Sequence, residues 1–202
     1  MLQEIYHDAL WEQLHSWSLK MSPATILEIG GGSGDGSTTA FFDAVAQGST
    51  VYSVEGRKER YEELNQKPVK ALYGCSVSRE DYLSKSEVKD FYKHVPTNLN
   101  KNPLKLVLEW RREELQTLKG VPQNVIRGIE ADFVFMDGSP FTGEKEFYYS
   151  VEQNPHIKLV AFDDVNDIKN FRNHWKLNTS TAWEKVWEDL TLRNGASIFI
   201  KR

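Results

Sequence analysis

The sequence predicts an α/β fold, doubly wound around a mostly parallel sheet. Three observations carry the prediction. Short apolar runs alternate with helix-compatible runs from "ATILEI" onward, which is the pattern of βαβ units. The first apolar run feeds a glycine-rich turn, "GGGSGDG". Further on, "EKVWEDL" and "ASIFIKR" are joined by "TLRNG", whose Asn194-Gly195 pair signals a hairpin and so an antiparallel pair of strands.

The elements follow in order. Residues 2–19 place Leu2, Tyr6, Leu10, Leu14 and Trp17 at spacings of three and four, predicting an amphipathic helix within residues 1–22. "ATILEI" is a buried first strand, "TTAFFDAVAQG" a helix closed by Gly48, and "TVYSVE" the second strand. "RKERYEELNQK" is a charged helix stopped before Pro68, and "VKALYG" is the third strand. The stretch from Gly74 to Ala131 is longer than one crossover needs. It holds two helical stretches, about 79–94 and 104–119, and is read as a crossover plus a helical insertion over 80–128. "ADFVFMD" and "IKLVAFDD" resume the sheet. Trp175, Trp183 and Trp187 are expected in the core or covering the terminal hairpin.

The 202 residues suit a single domain spanning 1–202, and 40% hydrophobic with 27% charged residues suits a packed core. The net charge of −4 comes without a basic stripe, so neither nucleic acid nor a membrane surface is the expected partner. With Cys75 alone, no intrachain disulfide can form. Glu4, Asp8 and Glu12 stand where a signal peptide has its apolar core, and no apolar run reaches membrane-span length. A cytoplasmic protein is expected, with a homodimer left open.

The glycine turn narrows the ligand. A triphosphate-binding P-loop needs lysine where this chain has Ser37. The dinucleotide turn G-x-G-x-x-G meets Asp35 or Ser37 at its third glycine, depending on register. A third register fits without gaps: Glu28-x-Gly30-x-Gly32-x-Gly34. It resembles the first motif of class I S-adenosylmethionine-dependent methyltransferases. The resemblance implies a Rossmann-like, seven-stranded sheet in the order 3-2-1-4-5-7-6, with strand 7 antiparallel. It also implies a glycine turn packed on the cofactor, a helix start at Ser37 and Thr38 facing the methionine carboxylate, and Glu28 accepting from the methionine ammonium directly or through water.

Glu55 ends the second strand, about 20 residues beyond the turn, where an acid can take both ribose hydroxyls. In the family the acid at this place does so, with Gly56 beside the adenine. By the same resemblance, Cys75 and Ser76 after the third strand lie against the adenine ring.

Asp137 ends the fourth strand and Asp163 and Asp164 end the fifth, so all three project toward the crevice beyond the strand ends. Three hard oxygen donors there could hold Mg²⁺, and Asp-Gly after a strand is equally ordinary turn chemistry. The segments "FVFMDGSPFTGEKEF" and "VAFDDV" look like the catechol-type and macrocin-type O-methyltransferases and the methyltransferase 24 group. In their metal-dependent members, residues at the positions of Asp137, Asp163 and Asp164 bind the cation. Where members often carry a polar group three residues after the strand-four acid, this chain has Pro140. Lys145 is the nearest base, either catalytic or simply on the surface. Tyr82, Phe91, Tyr92, His94 and Trp110 of the insertion either cap a substrate pocket or pack in a helix core.

The expected function is methyl transfer from S-adenosylmethionine to a small-molecule acceptor, with oxygen favoured and Mg²⁺ assistance open. The alternatives are a catalytically silent binding or scaffold protein of the same fold and an NAD(P)-dependent oxidoreductase.

Overall fold

The computed structural model describes residues 5–202. Its seven strands are β1 (Thr25–Ile29), β2 (Thr50–Glu55), β3 (Lys70–Tyr73), β4 (Phe133–Met136), β5 (Leu159–Asp163), β6 (Trp183–Asp189) and β7 (Ala196–Lys201). They form one sheet in the order β3-β2-β1-β4-β5-β7-β6. β7 runs antiparallel to both β5 and β6, and the other pairs are parallel. The expected order and direction are therefore observed. The hairpin turn sits at Asn194-Gly195, where Gly195 takes a φ of +81°.

Burial on both faces explains why the strands read as apolar runs rather than alternating ones. Ile26, Phe133, Phe135, Leu159 and Ile198 pack on one side against Leu10 and Leu14 of α1 (Ala9–Met21) and Ala44 of α2 (Phe42–Ala46). Leu27, Ile29, Val134, Met136, Val160 and Phe162 pack on the other side. Their partners there include Val88 and Phe91 of α4 (Lys85–His94), Val107 of α5 (Leu104–Thr117), Phe147 of α6 (Gly143–Phe147) and Leu177 of α7 (Phe171–Asn178). The remaining helix, α3 (Lys58–Leu64), joins β2 to β3.

Several boundaries differ from expectation for local reasons. The first helix begins at Ala9, because Asp8 caps it by accepting from the Trp11 amide at 2.8 Å. Tyr6 is 55% exposed, and Leu2 lies outside the described residues. The helix expected from Thr38 is a 3₁₀ turn, Ser37–Phe41, leading into the short α2. The helix expected from about residue 79 starts only at Lys85, where Ser84 and Glu87 form a capping box. Trp175 is 64% exposed and so belongs neither to the core nor to a hairpin cover, whereas Trp183 and Trp187 pack against the two cores. Phe91 is core and Trp110 is 39% exposed.

The insertion is stitched back onto the sheet. The Cys75 amide donates to the Pro122 carbonyl at 2.7 Å, and the Val125 amide donates to the Cys75 carbonyl at 3.2 Å. These bonds bring the C-terminal end of α5 over the ends of β2 and β3.

Candidate active site

A cavity of about 320 Å³ opens beyond the carboxyl ends of β1, β2 and β4, the place where open α/β sheets bind ligands. Gly30, Gly31 and Gly32 form one wall. The loop is pinned from β2, since the amides of Gly30 and Gly31 both donate to the Val54 carbonyl at 3.0 Å. Gly30 has a φ of +93°, and a Cβ there would lie 2.1 Å from the Asp137 carbonyl oxygen, so glycine is required twice over. Gly32 also has positive φ, at +57°. Gly34 stands apart from the cavity, packed against Leu64 and Lys67 of the α3 end.

Glu28 does not face the cavity. It is fully buried beneath the loop and accepts from Ser37 Oγ at 2.6 Å, Thr38 Oγ1 at 2.7 Å and Ser53 Oγ at 2.6 Å. Burial pushes its carboxyl pKa up, and the three hydroxyls oppose that. Glu28 is therefore a brace that fixes the loop and the start of the 3₁₀ turn. Thr38 shares this role, while Ser37 both braces and lines the cavity.

Glu55 does face the cavity, beside Gly56, Arg57 and Arg60. Its Oε1 accepts from the Arg57 amide at 2.6 Å, and burial raises its pKa. A Cβ on Gly56 would meet Leu118 Cδ2 at 2.8 Å, which shows how closely the region after α5 covers this end. Cys75 and Ser76 line the same end. Cys75 is buried, and desolvation raises its thiol pKa, leaving no thiolate character for chemistry.

Three lining residues, Glu114, Ser139 and Glu146, carried no expectation from sequence, and Tyr82 was expected either at the substrate pocket or in a helix core. Tyr82 lines the cavity and donates to Glu114 Oε1 at 3.4 Å. Glu114 itself projects from the insertion helix α5. Ser139 follows β4. Glu146 of α6 accepts from Ser76 Oγ at 2.5 Å and Thr142 Oγ1 at 2.8 Å, and burial pushes its pKa up to about 7. The cavity thus carries Glu55, Glu114, Asp137 and Glu146 beside Arg57 and Arg60, a wall of mixed charge in which Asp137 is paired with Lys169.

Lys145 does not reach this wall. Its side chain is 51% exposed and its Nζ lies 3.9 Å from Asp81. Among the described residues, no lysine or histidine lines the cavity.

Asp137, Asp163 and Asp164 converge, each offering a carboxylate oxygen within 4.8 Å of the others. The set is already occupied by protein cations. Lys169 Nζ lies 2.6 Å from Asp137 Oδ1 and 2.5 Å from Asp164 Oδ2, with a side chain only 8% exposed. Arg193 reaches Asp163 Oδ1 at 3.1 Å, and Asn194 Nδ2 donates to Asp164 Oδ1 at 3.0 Å. Desolvation acts to lower the Lys169 pKa, but the carboxylates of Asp137, Asp164 and Asp163 outweigh it and hold the pKa well above its ordinary value. For Asp164, burial raises the carboxyl pKa, and Lys169 together with Asn194 and Arg193 more than reverses that. A divalent ion at these oxygens would sit beside the ammonium. At 4 Å and an effective dielectric of 20, each unit of its charge would be repelled by about 4 kcal/mol. The donor set does not fit a divalent metal while Lys169 stands there.

The fold is that of the class I methyltransferases. Solved structures share it over nearly the whole chain. A methyltransferase from Geobacter sulfurreducens has a TM-score of 0.59 at 12% identity, covering 98% of this chain and 82% of that one. The O-methyltransferase from Bacillus cereus in complex with SAH has a TM-score of 0.56 at 13% identity, covering 97% and 83%. The O-methyltransferase TomG from Streptomyces achromogenes in complex with SAM has a TM-score of 0.53 at 15% identity, covering 95% and 78%. No protein-family model matches the sequence, and no curated protein matches it either. No helix of the described residues is long and apolar enough to cross a membrane.

Proposed function

We propose that this chain binds S-adenosylmethionine and transfers its methyl group to a small-molecule acceptor, with oxygen as the favoured nucleophile. The carrying observation is that the glycine turn and Glu55 line one cavity, beyond the carboxyl ends of β1 and β2. Solved structures of the same fold hold SAM or SAH. The bound cofactor would supply a methyl group already activated by its sulfonium.

In this reading Glu55 takes the ribose hydroxyls, while Gly56, Cys75, Ser76, Tyr82 and Ser139 frame the base. Gly30 to Gly32 let the backbone approach the methionine portion, and Asp137 is the acid nearest its ammonium, in place of the buried Glu28. At about 320 Å³ the cavity lies near the lower end of ligand pockets, roughly 300–1,000 Å³, so the acceptor approaches from outside it. Helices α4 and α5 are proposed to cap that approach. Magnesium has no part in this reading.

A second reading, a binding protein of the same fold without catalysis, is favoured by one observation. Lys145 is turned away and Pro140 offers no proton acceptor, so no lysine or histidine base faces the cavity among the described residues and its proton acceptors are carboxylates.

Calorimetry tests the main reading. Heat is expected on titration with S-adenosylmethionine and none with NAD; absence of heat with S-adenosylmethionine overturns it. A panel of phenols, sugars and carboxylates then separates the two readings by release of S-adenosylhomocysteine.

A further inference from the structure

We propose that Lys169 is a built-in cation: its ammonium takes the place of a divalent metal at the ends of β4 and β5, and this chain binds no divalent ion there. The inference leans on the methyltransferase reading only for its chemical consequence, since ion binding is measured without cofactor.

The geometry carries it. Lys169 Nζ bridges Asp137 Oδ1 at 2.6 Å and Asp164 Oδ2 at 2.5 Å. These are the two carboxylates that a cation shared between β4 and β5 would use. The side chain is 8% exposed, so the ammonium is held in the fold rather than swinging in solvent. The next residue fixes the backbone that delivers it. Asn170 Nδ2 donates to the carbonyls of Met136 at 3.1 Å and Asp163 at 2.8 Å, tying the segment to the ends of both strands. The remaining acid, Asp163, is answered by Arg193. Three carboxylates therefore meet two protein cations.

A metal in this position would need several of the same oxygens at about 2.0–2.1 Å for Mg²⁺, in near-octahedral order. The ammonium already occupies that space. In a working enzyme the consequence is a positive charge beside Asp137 that is present at all metal concentrations. Lys169 then acts as a positioning residue, neutralising Asp137 at the cavity wall and fixing its orientation.

The test is Mn²⁺ binding followed by electron paramagnetic resonance and calorimetry on the full chain. The wild type is expected to leave millimolar Mn²⁺ free. Lys169→Ala, and its neutral, shape-matched companion Lys169→Met, are checked for fold by circular dichroism. Lys169→Ala is expected to gain a stoichiometric Mn²⁺ that is lost again in Lys169→Ala/Asp137→Asn. Two results overturn the proposal: stoichiometric Mn²⁺ on the wild type that disappears in Asp137→Asn, or a folded Lys169→Ala that gains none. If Lys169→Ala does not fold, the wild-type measurement still decides. Failure here leaves S-adenosylmethionine binding intact, so the two readings fail separately.

Discussion

The carbonyl oxygen of Asp137 stands 2.1 Å from the point where a Cβ on Gly30 would lie. The two residues follow neighbouring strands, and the Asp137 amide donates to the Ile29 carbonyl at 2.9 Å. The turn after β1 and the turn after β4 are therefore one packed unit. Gly30→Ala is expected to cost roughly 3 kcal/mol, from left-handed strain plus overpacking. For a chain of this size that lowers Tm by about 6–12 °C. Thermal unfolding checks it, and a variant as stable as wild type would mean that the two turns separate freely.

Glu55→Ala removes the acid proposed to take the ribose hydroxyls. Two hydrogen bonds to a charged group are worth roughly 3–6 kcal/mol, so S-adenosylmethionine affinity should fall by about 100- to 20,000-fold. Calorimetry reads this directly. Unchanged affinity would take Glu55 out of the binding site.

Glu146 gives a pH signature. Its pKa in the folded chain is pushed up to about 7 by burial, from an ordinary value of 4.5. A raised acid pKa means that the folded state holds the proton more tightly. The favourable contribution is full below about 4.5 and is lost as pH rises through about 7. Relative to Glu146→Gln, the wild type should therefore lose stability between pH 5 and pH 8, by roughly 3 kcal/mol. Urea unfolding of both proteins across that range checks it. Parallel curves would show that Glu146 ionises normally.

Lys145→Ala should leave cofactor affinity unchanged, and any methyl transfer within about twofold, since its half-exposed side chain faces Asp81 rather than the cavity. A large loss of turnover with unchanged affinity would bring Lys145 back as a base delivered by movement of α6.

The strands were readable from their apolar runs and the converging acids from the strand ends, while the strand order came from the resemblance of the glycine motif to the class I methyltransferases. An apolar run fixes where Asp137 and Asp163 finish, and the doubly wound sheet points them the same way. The glycine register was readable from its spacing alone. Glu28 was misplaced although the signal was present. Alternation along β1 puts Ile29 on the cavity side and Glu28 on the other, opposite Ser53 in the parallel register. Lys169, Glu114 and Glu146 were not readable. Each lies on a helix or loop whose approach depends on tertiary packing, and "VNDIKNF" contains nothing that marks its lysine as buried. Asp164 adds a local reason. Its φ of +57° turns the chain back sharply after β5, a conformation that Asp tolerates better than most residues, and composition does not reveal it.

The position of β7 has a consequence for biosynthesis. β7 pairs with β5 on one side and β6 on the other, yet it is made after both. While the ribosome is still adding residues 183–195, β5 has an open edge and its buried Val160 and Phe162 lack their neighbour Phe199. An unpaired apolar edge is the feature that draws stray strands into aggregates. A nascent chain arrested before Ala196 should be held by chaperones or lost to inclusion bodies, and release of a few more residues should rescue it.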